Sequence, residues 1–288
     1  MKKILDIHRN PPGHWVGDGF PVRNIFSYQT LGARVSPFLL LDYAGPAQFP
    51  PAGKPRGVEE HPHRGFETVT VVYQGEVEHR DSAGNQGKIG PGDVQWMTAA
   101  SGVVHEETHS AEFTRDGGTL EMVQLWVNLP AKWKMSPPAY QTLADRVIPR
   151  VILAGGAGTA RVIAGELEGA KGPARTFTPV NLWDVRLRKE SHAGLNLPGG
   201  HTALVFVPRG KIVLNESESL GEADLAILSR EAEHVTLEAR EDASVLLLGG
   251  EPIDEPVAGH GPFVMNNEAE IRQAMEDYRS GGMGRLRS

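Results

Sequence analysis

The 288-residue chain contains no cysteine. That absence excludes disulfides, thiolate metal sites and thiol nucleophiles, so any bound metal must rest on nitrogen and oxygen donors. Positive charge is in short supply as well: 29 Lys+Arg stand against 36 Asp+Glu, a formal net charge of −7. A nucleic-acid surface needs a basic patch to neutralise phosphates, and none is visible here. Long apolar runs are missing too. No stretch approaches the roughly 20 residues that span a bilayer. Asp6, His8 and Arg9 interrupt the apolar run that a signal peptide would need after Met1-Lys2-Lys3. The expectation is a soluble, cytoplasmic protein that binds neither nucleic acid nor membrane.

What the chain does have is turn formers and short β-branched runs. Gly 34 and Pro 21, with few long periodic stretches, favour an all-β architecture over a helical bundle. The first sixty residues read as an apron of turns around a short apolar run, Phe38 to Leu41. Gly45 to Pro55, rich in proline and glycine, read as a loop. From His61 to Trp126 the texture is that of successive strands: Thr68 to Tyr73, Glu76 to Arg80, Val94 to Met97, His105 to His109 and Glu121 to Asn128. Gly75, Asp81 to Asn85 and Gly90-Pro91-Gly92-Asp93 mark the turns between them. Many short strands at regular spacing imply a sandwich or barrel. The glycine-rich run Leu153-Ala154-Gly155-Gly156-Ala157-Gly158 lacks the spacing and the following helix of a phosphate loop, and reads as a hairpin.

The stretch His61-Pro62-His63 organises the rest. Two histidines at i and i+2, just ahead of a β-branched run, share one face of a strand. A second pair of the same spacing, His105 and Glu107, lies on a later strand. Together they read as a site of three imidazoles and one carboxylate, a donor set for a first-row transition metal.

Residues 181–250 repeat the texture of the first block. Matching turn glycines Gly75 and Gly210 sets His61 opposite Asn196 and His63 opposite Pro198. Matching Gly92-Asp93 with Ala223-Asp224 sets His105 opposite Thr236 and Glu107 opposite Glu238. Three of the four ligands are then missing from the second copy, and His201 and His234 fall off the ligand positions. The expected organisation is a metal-binding barrel over 1–135, a connecting segment over 136–178, and a metal-free barrel with a closing helix over 179–288. Asn267 with Glu270 forms a capping-box start for that helix, Ile271, Ala274, Met275 and Tyr278 give it an apolar stripe, and Gly281 ends it.

His-x-His-x3-Glu before a turn glycine, then Pro-Gly-Asp, then Gly-x-x-His, resembles the paired motifs of the cupin superfamily. More narrowly, His61 to Thr70 (HPHRGFETVT), Gly90 to Ala99 (GPGDVQWMTA) and Gly261 to Asn266 (GPFVMN) resemble the pirin family. The likeness runs from about Val16 to the end. It implies a bicupin of two β-barrels face to face, with metal only in the N-terminal one, held by His61, His63, His105 and Glu107. Glu67, a ligand in many other cupins, is not one in this family, which leaves it a role beside the site or in packing. Ala100 departs from the proline common in cupins at this turn.

Such a ligand set suits iron, with Fe(II) foremost, and also manganese, nickel, copper or cobalt. Zinc would bind too. The family resemblance implies quercetin 2,3-dioxygenase activity, in which a flavonol loses its 3-hydroxyl proton. Dioxygen then adds across the central ring, carbon monoxide leaves and a depside remains. Glu107 is assigned as both ligand and proton acceptor. The same resemblance implies an alternative, a non-catalytic metal-bearing regulator or adaptor that binds a protein partner. Arg64 is expected in a salt bridge under the motif loop, Trp96 in the core, His79 in solvent near a hairpin, His109 at the cavity rim, and Glu106 pointing away from the metal.

Overall fold

A computed structural model describes residues 1–286. Among them the regular structure is mostly antiparallel strand, and no helix is long and apolar enough to cross a membrane. Two compact units carry the strands. Each pairs a seven-stranded sheet with a four-stranded one. This is the bicupin architecture.

The unit that contains His61 orders its large sheet as Ala139–Leu143, Val94–Thr98, Phe66–Gln74, Gly118–Asn128, Phe38–Phe49, Phe20–Ser27 and Gly13–Val16. Its small sheet runs Gly57–His63, Val103–His109, Val77–Asp81 and Gln86–Ile89. The strand Phe66–Gln74 is buried nearly throughout, so its two faces do different work. Thr70 and its parity mates face into the barrel. Glu67 and Val69 face away and pair with Thr98 and Trp96 of the neighbouring strand. Trp96 is fully buried, as its packing role requires.

The strand Phe38–Phe49 runs through Gly45 and Pro46, where a loop was expected. It pairs with Gly118–Asn128, and the register shifts between Leu120 and Met122, against Ala47 and Ala44. A proline has no N–H for a ladder, and a bulge is the place where a strand tolerates one. The Gly-rich run after Ile152 is the hairpin expected of it, with Arg150–Ile152 antiparallel to Gly158–Ala164.

The units are not consecutive stretches. Met1–Pro12 and Ile25–Pro37 belong with Arg146–Pro252, whereas Ile253–Ser288 belongs with the His61 unit. This differs from boundaries at 135 and 179. Ile4–His8 adds an edge strand to Asp224–Leu228, and Phe263 bridges to Arg64. The helix Glu268–Arg279 starts as expected, with Asn267 Oδ1 accepting from the Glu270 N–H at 3.0 Å, and buries Ile271 and Ala274 against Phe263, Met265 and Val104.

In the other unit the ladders give a different repeat alignment from that of the turn glycines. The inward pair His79–Glu107 corresponds to Leu214–Leu237, and the inward pair His61–His105 to Leu195–Val235. His63 then corresponds to Leu197. Asn196, Thr236 and Glu238 lie one residue off, on the outer face. There His234 Nδ1 meets Asn196 Oδ1 at 2.9 Å and Glu238 pairs with Arg240. All five leucine and valine positions are buried in that barrel's apolar core. Each such side chain contributes about 1.5–3 kcal/mol by burial, so this barrel is filled by packing where its counterpart carries polar groups.

Candidate metal centre

His61 and His63 end the strand Gly57–His63, and His105 sits on Val103–His109, directly opposite His61 in the antiparallel ladder. The three rings meet with centroids 4.2 Å apart for His61–His105 and 4.9 Å for both His63–His105 and His61–His63. Their nearest ligand atoms all lie within 4.8 Å of one another. His63 and His105 are buried, while His61 is half-buried and marks the side nearest solvent.

The rings are held from behind. His61 Nδ1 donates to the Glu59 carbonyl at 2.8 Å, and His63 Nδ1 donates more loosely to the Pro262 carbonyl at 3.4 Å. A carbonyl only accepts, so both rings keep their proton on Nδ1 and present Nε2 as a bare donor atom. His105 Nε2 is buried without a hydrogen-bond partner. Burial, reinforced by the neighbouring His61, pushes His63 and His105 well below the ordinary histidine pKa, so both rings are neutral. A buried, unpartnered imidazole nitrogen beside two rings already presenting Nε2 fits a bound transition metal.

Glu107 stands in a second group with His105 and His79, again within 4.8 Å. The register shift between His105 and Glu107 against Gly57–His63 carries the carboxylate toward His79, its ladder partner on Val77–Asp81. Its Oε1 accepts from Gln95 Nε2 at 2.9 Å, and Gln95 Oε1 in turn accepts from the Tyr140 hydroxyl at 2.8 Å; the Thr70 hydroxyl lies 3.4 Å from the same oxygen but donates to Gln124 Oε1 at 2.6 Å. The structure thus gathers three of the four expected ligands in one group and ties the fourth to His105 from the other side.

Several neighbours behave otherwise than the sequence indicated. His79 is buried, not solvated. Its Nε2 lies 3.2 Å from Asp81 Oδ2, its Nδ1 3.3 Å from His105 Nδ1, and its ring stacks on Tyr140 at 4.8 Å. His109 is a core residue rather than a rim residue, donating from Nε2 to the Gly19 carbonyl at 3.0 Å among Phe20, Phe49 and Phe113. Glu67 is on the outer face of its strand, accepting from Thr98 Oγ1 at 2.7 Å, so it packs rather than borders the site. Arg64 and Glu106 are as expected. Arg64 Nη1 meets Asp277 at 2.7 Å and its Nε donates to the Ser101 carbonyl, while Glu106 turns outward to Arg80. Ala100 holds φ +41, a conformation closed to proline.

Residues far along the chain also support the site. Lys134 Nζ, buried, donates to the carbonyls of Gly65 and Val264 and to Asn128 Oδ1 at 2.6–2.9 Å, joining the loop after His63 to the C-terminal arm. Nothing in local spacing announces Lys134 or Pro262. His79 and Asp81 did carry a signal, the same i, i+2 spacing as the ligand pairs.

A seven-over-four-stranded cupin pair, one barrel packed with leucine and the other carrying a histidine cluster that could hold a metal ion, defines a bicupin with a candidate metal site in one barrel. The family models described as Pirin and as Pirin C-terminal cupin domain match residues 19–127 and 182–284. The chain belongs to the pirin family. It is 60% identical over 281 residues, 98% of each chain, to a Pseudomonas aeruginosa protein provisionally named a quercetin 2,3-dioxygenase. It is 38% identical to a tomato (Solanum lycopersicum) pirin-like protein, covering 100% of this chain and 94% of that one. A solved structure described as quercetin 2,3-dioxygenase from Acinetobacter baumannii matches at 53% identity with a TM-score of 0.97 over 100% of both chains.

Proposed function

We propose that the chain is a metal-dependent dioxygenase that opens the central ring of flavonols such as quercetin and releases carbon monoxide. The convergence of His61, His63 and His105 beside the Glu107 carboxylate carries this reading, and the names of the 60% and 53% identical relatives support it. His61, His63, His105 and Glu107 hold one divalent ion, Fe(II) foremost, with manganese, nickel, copper or cobalt as alternatives. When bound, that ion supplies Lewis acidity toward an acidic hydroxyl and access to dioxygen chemistry.

The remaining work falls to the chain. Gln95 Nε2 donates to Glu107 Oε1, which orients the carboxylate and leaves Oε2 to take the proton of a flavonol 3-hydroxyl. Trp126 and Phe66 stack on each other with centroids 4.3 Å apart and both border the His63 ring, an apolar wall suited to planar aromatic rings.

The test is turnover. Protein loaded separately with iron, manganese, nickel, copper or cobalt is expected to consume quercetin and dioxygen in equal amounts and to evolve carbon monoxide. His61→Ala should lose most of its metal while keeping the folded barrel. Retained metal in that variant overturns the ligand assignment. Metal binding without turnover of any flavonol overturns the ring-cleaving reading and leaves the regulatory one.

A further inference from the structure

His105 differs from the other two histidines of the centre in what stands behind it. His61 and His63 rest on backbone carbonyls, which accept and do nothing else. Behind His105 Nδ1, at 3.3 Å, is another imidazole nitrogen, His79 Nδ1. An imidazole can donate or accept, so this contact alone leaves the proton on His105 undecided.

Asp81 decides it. His79 Nε2 lies 3.2 Å from Asp81 Oδ2, both side chains fully buried. Burial opposes the charge on Asp81, but hydrogen bonds from His79 and Asn85 outweigh it and hold the carboxyl below the ordinary range. A carboxylate only accepts, so the Nε2 of His79 that faces Asp81 carries the ring's proton and its Nδ1 offers a lone pair to His105. His105 must then donate from Nδ1, which strips Nε2 of hydrogen. That Nε2 is the buried atom without a partner. Stacking on Tyr140 fixes the His79 ring in the plane this requires.

We infer that Asp81 and His79 are positioning residues, a buried relay that sets the tautomer and orientation of His105 so that its Nε2 faces the metal. The inference rests on the metal-centre reading above. It assigns His79 a place behind a ligand, although His79, His105 and Glu107 also lie close enough to be read as ligands of one ion. Both nitrogens of His79 are already committed in the relay, one to Asp81 and one to His105, which leaves no atom for an ion.

The alternative barrel shows what the position becomes without the task. The residue corresponding to His79 is Leu214, buried in an apolar core. Leucine therefore packs at this place in the fold, and His79→Leu is a fair test of chemistry rather than of shape. His79→Asn is its complement, since an asparagine Oδ1 falls near the site of the histidine Nδ1 and can accept from His105.

Two measurements on the full chain decide the matter. The first is nitrogen-15 NMR of histidine-labelled, metal-free protein, read again with zinc(II) as a diamagnetic probe. The expected result is His105 as the Nδ1–H tautomer, with the zinc-induced shift on His105 Nε2 and His79 retaining its Nε2–H. A His105 proton on Nε2, or a zinc shift on His79, overturns the relay. The second is nickel(II) and cobalt(II) affinity by calorimetry. His79→Leu should bind about 10–100-fold more weakly, the usual effect of losing a partner behind a ligand, and His79→Asn should recover most of it. Equal affinity in the Leu variant, or a Leu variant better than Asn, overturns the inference and reduces His79 to packing. Failure of the unmodified chain to bind any metal would instead overturn the metal-centre reading, while the tautomer spectrum still judges the relay.

Discussion

Gly65 offers the sharpest single-residue test of how the metal loop is held. It follows His63 and Arg64 at φ +93, and a Cβ built there would fall well inside contact distance of the Val264 carbonyl oxygen and 2.8 Å from Met265 Sδ. Gly65→Ala therefore forces the strand Phe263–Met265 off the loop. At stake are Val264 N–H to Arg64 O at 3.0 Å, Arg64 N–H to Pro262 O at 3.3 Å and Lys134 Nζ to Val264 O at 2.9 Å. At about 0.5–1.5 kcal/mol for each bond, with about 1–2 kcal/mol for an L-residue in left-handed backbone, the loss is about 3–6 kcal/mol.

Gly84→Ala is the control. It shares the left-handed backbone, at φ +91, but nothing lies within 4 Å of its Cβ, so only the backbone cost applies. The gain from a less flexible unfolded chain is common to both and cancels. Calorimetric melting should place Gly65→Ala about 6–24 °C below the unmodified protein, at roughly 2–4 °C per kcal/mol. Metal binding should weaken with it, because Pro262 anchors His63. If Gly65→Ala melts alongside Gly84→Ala, the close approach of the arm does not hold the loop and the reasoning is wrong.

Lys134→Met strands three buried acceptors in the same place and should cost at least about 3 kcal/mol in denaturant unfolding, from about 1 kcal/mol or more for each acceptor left unsatisfied. An unchanged midpoint would mean that water replaces the ammonium there. Burial lifts Glu67 from 4.5 to about 7. Its folded pKa is raised, so the stability it lends is complete below pH 4.5 and is lost as pH climbs through 7. Glu67→Gln keeps an acceptor for Thr98 and removes that loss, gaining about 3 kcal/mol on the unmodified chain above pH 7, from about 1.4 kcal/mol per pKa unit. Parallel stability curves between pH 4 and pH 8 would refute burial as the cause.

The metal site was legible because its signal is local. His61 and His63, and His105 and Glu107, each share a strand face by parity, and parity needs no tertiary information. The all-β architecture followed from turn residues and the repeat. The repeat alignment failed by one residue, and in a strand one residue exchanges the two faces. Turn glycines fix the hairpins, but the connections on either side differ in length. Asn196 and Thr236 therefore seemed to replace ligands that Leu195 and Val235 in fact replace. His79 was misjudged for a different reason. Its neighbours Glu78 and Arg80 read as a solvated hairpin, whereas alternation buries Val77, His79 and Asp81 together. The exchange of arms between units left no trace in any window, because pairing between residues some 200 apart has no period.

That exchange has a consequence for the order of events during synthesis. A chain emerging from the ribosome folds by units, earlier segments first. Here His61, His63 and His105 emerge well before Pro262 behind His63, Asp277 on Arg64 and Val264 on Lys134. Ile4–His8 waits for Asp224–Leu228. The sheet that holds Asp224–Leu228 takes its edge strand from Ile4–His8, and a chain interrupted before Pro262 carries every candidate ligand yet lacks the floor of the His63 loop. If the proposed centre holds metal, its retention reports that translation passed Pro262.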